Sequence, residues 1–224
     1  MCRGCLKMYA DLFSYYKSQL SYVILNYFPD LTLKEWALGG AFAVLLALIL
    51  LAARNSGKIG LKHIIFSELL YGFIFLVIGS TVLSRTAWQG THFVPDLLGT
   101  YQQILEGVDR AAVIKQNVLN ICLLLPAGIL FPLCVPIQGR PRGPLASLRS
   151  RIPHRRFLAV TLAGFSCSLL IESLQYLTKR GVFELDDLLH NTLGVMIGYL
   201  LYRTAVTLCE ASRRRPVRIA AAFA

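Results

Sequence analysis

Five stretches of this chain are each long and apolar enough to cross a lipid bilayer, and nothing else in the sequence constrains its fold so strongly. They are Trp36–Ala53, Ile64–Leu83, Val118–Ile137, Phe157–Leu177 and Leu188–Leu208. A hydrocarbon core roughly 30 Å thick needs about 20 mostly apolar residues, each rising about 1.5 Å along a helix. Every run meets that requirement and none is long enough to be two spans. The expected fold is an all-α membrane protein with about five transmembrane helices. Four of them form a core domain, and one extra span precedes it. The expected divisions are an N-terminal segment (1–34), the extra span with a basic loop (35–63), the four-helix domain (64–208) and a basic tail (209–224).

Composition narrows the class further. Charged residues make up 16% of the 224, well below the roughly 25% of soluble domains. The formal charge of +11 does not need a nucleic-acid partner, because membrane proteins gather Lys and Arg in cytoplasmic loops. No basic helix or aromatic stacking motif accompanies it. Cys122, Cys134 and Cys167 fall inside apolar runs, where a thiol packs as a small hydrophobe. Cys2 and Cys5 form a lone C-x-x-C without a second ligand pair, so neither a metal nor any other cofactor is expected. Asp11, Lys17, Gln19 and Asn26 interrupt the place of a signal-peptide core. Leu6, Tyr9, Phe13, Tyr16, Leu20, Ile24 and Tyr27 instead recur at helical spacing, as in a helix lying in the headgroup region.

The sides of the membrane follow from where Lys and Arg fall, since these residues resist translocation. The loops after the first and third runs, with the C-terminal tail, hold 14 of them; the N-terminal segment and the other two loops hold 9. This places the C-terminus in the cytoplasm and the N-terminus outside. The weakest point is the N-terminal segment. If it also spanned, the later helices would keep this orientation.

Polar residues within a span are costly and call for a reason. Glu68 falls in the first turn of the second run, where a carboxylate favours a helix N-terminus. The third run opens with Asn117 and Asn120 and then carries Pro126 and Gly128 in mid-membrane. Pro126 cannot donate to the carbonyl of Cys122, and Pro132 and Pro136 repeat the defect, so an irregular helix is expected. In the fourth run Glu172, Gln175 and Tyr176 share a face. The connection from Thr178 contains Arg180 and leads to Asp186 and Asp187, either of which can cap the fifth helix. Asp187 and Asn191 share a face that Gly194 and Gly198 extend, a small-residue spacing that lets another helix approach closely.

By this topology the start of the third span, the end of the fourth and the start of the fifth lie at one membrane face, the outer one. Asn120, Glu172, Gln175, Arg180, Asp187 and Asn191 are therefore the expected site. Arg180 is its planar, permanently charged donor for a phosphate or carboxylate.

Two stretches resemble the VanZ-like family, membrane proteins named for an accessory factor of glycopeptide (teicoplanin) resistance. They are NICLLLPAG at Asn120–Gly128 and IESLQYLTKRGVFELDDLLHNTLGVMIGYLLY at Ile171–Tyr202. The second is the more specific, with its E-x-x-Q, arginine, Asp-Asp, Asn and paired glycines. The likeness runs from about Ile64 to Tyr202 and leaves out the first helix. Two departures are visible. Phe93-Val-Pro-Asp stands where the family often has Asn-x-x-Pro-Phe, and the turn from Arg180 to Asp187 is one residue longer than usual. The resemblance implies a role in the bacterial cell envelope, at the inner membrane, and lowered glycopeptide susceptibility; it brings no settled reaction.

Three functions fit these residues. The first is binding of an anionic lipid or lipid-linked envelope precursor at the outer leaflet. The second is a membrane enzyme with Glu172 as general acid or base acting on a lipid-linked phosphate. For it Ser173, Thr178 and His190 are the only nearby groups that could act as nucleophile or second base. The third is a small transporter using Glu172 as a proton site.

Overall fold

The computed structural model describes residues 28–87, 93–107, 109–135 and 153–222. The expected interfacial helix before Tyr27, Cys2, Cys5, Pro136 and most of the basic loop after the third span lie outside the described residues. Five helices are long and apolar enough to cross a membrane, as the sequence leads one to expect.

Helix α1 (Leu33–Asn55) begins at Thr32 because two side chains satisfy free backbone donors there. Thr32 Oγ1 accepts from the amide of Glu35, and Glu35 Oε2 accepts from the amide of Thr32 at 2.7 Å. Of its residues only Gly39 is buried, and α1 packs chiefly on α2 (Leu61–Ile78). The Tyr71 hydroxyl donates to the Gly39 carbonyl at 2.8 Å, and Phe75 packs edge-on against Trp36. Leu45, Leu48 and Ile49 of α1 are exposed, as residues facing hydrocarbon should be.

The second span starts at Leu61, three residues earlier than expected, which puts Glu68 two turns inside the helix rather than in its first turn. Its Oε1 is buried without a partner. The span ends in a π turn, Gly79–Leu83. Hydroxyls hold this wider turn: Thr81 Oγ1 donates to the Val77 carbonyl at 2.7 Å and Ser84 Oγ to the Gly79 carbonyl at 2.9 Å.

A strand β1 (Phe93–Val94) and a short helix α3 (Gly99–Glu106) follow. Helix α4 (Arg110–Cys134) is continuous through Pro126 and Pro132. The irregularity expected of this span is therefore absent there; the irregular backbone is the π turn of the second span. Helix α5 (Pro153–Leu177) is the fourth span. Strand β2 (Phe183–Glu184) pairs in parallel with β1, Phe93 opposite Phe183 and Val94 opposite Glu184. Helix α6 (Leu185–Ala222) is 38 residues long, so the segment expected as a separate basic tail from residue 209 continues the fifth helix.

The most extensive helix contact is that of α4 with α6. Glycines make it possible. A Cβ on Gly128 would fall on the Val195 carbonyl oxygen, one on Gly194 on that of Ile121, and one on Gly198 on that of Leu125. The two backbones touch at all three positions. In lipid there is no water to expel between helices, so close packing of this kind is what holds spans together. Around it Val77, Leu124, Val160, Ile171, Val195 and Tyr199 form the buried core.

Candidate functional site

Polar side chains converge where α2, with its π turn, and α5 end and α4 and α6 begin. They line a cleft of about 450 Å³. All six residues expected from the sequence, Asn120, Glu172, Gln175, Arg180, Asp187 and Asn191, lie on its walls.

Each is held for a visible reason. Glu172 is 2% exposed, and its Oε2 accepts from the Glu184 amide at 3.3 Å. Gln175 Nε2 donates to the Thr81 carbonyl at 3.1 Å. Arg180 Nη1 donates to the Leu83 carbonyl at 2.7 Å and to that of Val82 at 3.4 Å. The last carbonyls of a helix lack partners within it, so Gln175 and Arg180 of the E-x-x-Q…Arg stretch cap the second span. The Asn120 side-chain amide donates to the Asp187 carboxylate. Asn191 Nδ2 donates to Ser168 Oγ at 3.1 Å, while Asn191 Oδ1 is buried without a partner. Gly128, Gly194 and Gly198 serve the helix crossing described above, and Pro126 sits within it on α4.

Sequence reasoning missed Arg85 and Glu184. Arg85 is exposed at the cleft wall, its Nη1 lying 3.3 Å from where a Cβ on Gly181 would stand. Its positive charge acts on the carboxyl groups of Glu172, Glu184 and Asp187 alike. Arg180, the arginine expected to face the ligand, spends hydrogen bonds on helix carbonyls instead. Glu184, in the strand between α5 and α6, is half-buried. Burial pushes its carboxyl above the ordinary 4.5, the Asp186 charge adds to this, and Arg85 opposes it. The only signal for either residue was charge next to a span end, which marks ordinary loop residues equally well.

Asp186 does not cap its own helix through its carboxylate. It accepts from the amide of Leu98, and from the amide and hydroxyl of Thr100 at 2.8 and 2.7 Å. It thereby binds the N-terminus of α3 and holds Leu98 in a left-handed conformation, φ 70°. His190, 0% exposed, meets the Tyr101 hydroxyl at 3.0 Å. These contacts fasten α3 beside the cleft. Thr178 Oγ1 donates to the Leu174 carbonyl at 2.6 Å. None of Ser173, Thr178 and His190 lines the cleft. Among the described residues no three His, Cys, Asp or Glu side chains converge closely enough to hold a metal ion.

Five spanning helices and a carboxylate-rich cleft at one end of the bundle define a multi-pass membrane protein with a single concentrated polar site. The chain belongs to the VanZ/LLP1 family, whose model matches residues 43–207. That match begins inside α1, earlier than the Ile64 boundary read from the motifs, and contains every cleft residue. Neither a curated protein nor a solved structure matches the chain.

Proposed function

We propose that this protein binds the phosphate-bearing headgroup of a membrane lipid or lipid-linked envelope precursor in the cleft, at the outer face of the bacterial inner membrane. The observation that carries this reading is Arg85, an exposed guanidinium on the wall of a cleft whose other arginine is occupied by helix carbonyls. A guanidinium offers a phosphate two parallel charge-assisted hydrogen bonds. The outward orientation rests on the excess of Lys and Arg on the opposite side of the spans, and the family's link to glycopeptides makes lowered teicoplanin susceptibility the expected consequence of occupancy.

One variant tests this. Arg85→Ala should reduce lipid retained by the purified protein by about tenfold or more, since a hydrogen bond to a charged group contributes about 1.5–3 kcal/mol. Lipid identification by mass spectrometry gives the readout, and equal retention by both proteins would sink the proposal. Expressed in a susceptible host, the same variant should lose any rise in the teicoplanin concentration needed to stop growth. For the orientation, Thr86→Cys in a cysteine-free background should react with a membrane-impermeant thiol reagent added to intact cells. Protection of that thiol until the cells are opened would reverse the assignment.

A hydrolytic reading has one observation in its favour. Glu172 and Asp187 act on one another electrostatically in the cleft wall, and paired carboxyl groups can divide acid and base roles. Turnover of lipid-linked phosphates by the wild type, abolished in Glu172→Gln, would establish it; a wild type that turns over none of a broad panel removes it.

A further inference from the structure

We infer that the cleft and an apolar groove beside it take one lipid molecule, whose headgroup carries a phosphate followed by a primary ammonium group and whose chain lies in the groove. This rests on the lipid-binding reading above and adds the chemical class of the headgroup and the seat of the chain.

The groove, about 390 Å³, runs between the spans α2 and α4 and is walled by Phe73, Leu76, Val77 and Leu119. It is continuous with the cleft, because Thr81, Arg85, Asn120 and Leu123 line both. An apolar groove between two spans that opens onto a polar cleft at their ends matches an amphiphile standing along the membrane normal.

Polar groups in the cleft are unevenly committed. The side-chain donors of Asn120, Gln175, Asn191 and Arg180 already serve Asp187, Thr81, Ser168 and Leu83. Acceptors remain. Asn191 Oδ1 is buried and unpartnered in a residue only 2% exposed, and Glu172, Glu184 and Asp187 bring three carboxyl groups against the one guanidinium of Arg85. A headgroup that was only anionic would meet these carboxylates beyond Arg85 and be repelled. In space the order is groove, Arg85, carboxylates. Along an aminophospholipid the covalent order is chain, phosphate, ammonium. A primary ammonium supplies three N–H donors to acceptors that have none, and a trimethylated one supplies no donor at all.

The experiment is competition on the intact purified protein, read by native mass spectrometry, among phosphatidylethanolamine, phosphatidylcholine and phosphatidylglycerol of identical chains. Wild type should retain phosphatidylethanolamine about tenfold over each of the others, a difference one charge-assisted contact can supply. Joint Glu184→Gln and Asp187→Asn substitution should bring the three close to parity. Leu123→Trp, which fills the groove, should lower retention of phosphatidylethanolamine, and chain-free glycerophosphoethanolamine should fail to displace the lipid. Preference of the wild type for phosphatidylglycerol, or no preference, overturns the headgroup class while leaving lipid binding intact. Unchanged retention by Leu123→Trp overturns the seat of the chain. Retention of no lipid of any kind brings down the binding proposal itself.

Discussion

Arg85 and Arg180 show how two identical side chains at one site divide into different roles. Arg180 is anchored to carbonyls of the π turn, so its removal leaves buried acceptors without donors. Arg180→Ala should therefore lower the melting temperature in detergent, by the equivalent of about 1–3 kcal/mol, while Arg85→Ala leaves it nearly unchanged. Equal melting temperatures for Arg180→Ala and wild type would refute the capping role. The sequence pointed to Arg180 because it sits in a recognisable stretch with Glu172, Gln175 and Asp187. Arg85 follows a different span 95 positions earlier, and only the fold brings it to the same carboxylates. Residues near one another in sequence were legible as a site, and the residue that completes them from across the bundle was not.

Between elements, the α4–α6 contact is the tightest, and its glycine spacing was readable in advance from Gly194 and Gly198. What spacing alone did not identify was the surface they approach, the Ile121 and Leu125 carbonyls one and two turns along from Asn117 on α4. Gly194→Ala would drive a methyl group into the Ile121 carbonyl, and overpacking of this kind costs about 1–3 kcal/mol. A depressed melting temperature, with the protein still inserted in the membrane, is the expected result; an unchanged one would mean that the helices separate without penalty. Pro126 and Pro132 misled in the opposite direction. A missing amide proton suggests a break, but α4 runs on through both, because neighbouring spans hold the helix that a proline only weakens. The π turn had no comparable signature. Gly79-Ser-Thr reads as an ordinary small, polar helix end, and the widened turn emerges only once α5 presents Gln175 and Arg180 to its carbonyls.

For the molecule as a whole, the number of spans and their approximate bounds were legible because the membrane imposes a length on every apolar run. Where the runs ended was less so, since a helix does not stop where the bilayer does. At about 1.5 Å per residue, the 38 residues of α6 reach roughly 57 Å, nearly twice the hydrocarbon thickness. The short helix α3 was hidden in a long connection for a related reason: its N-terminus depends on a carboxylate, Asp186, from a helix 86 residues further along. The π turn has a consequence for how such a chain can change. It carries one residue more than an α-helical turn, so losing that residue alters phase before it alters length. Deleting Ser80 should let the helix close up in α geometry and swing Arg85 by about 100° around the axis. All five spans would still insert, yet the guanidinium would face lipid and the purified protein would come away without its headgroup partner; a deletion variant that retains lipid like wild type would show that the phase of this helix is free to drift.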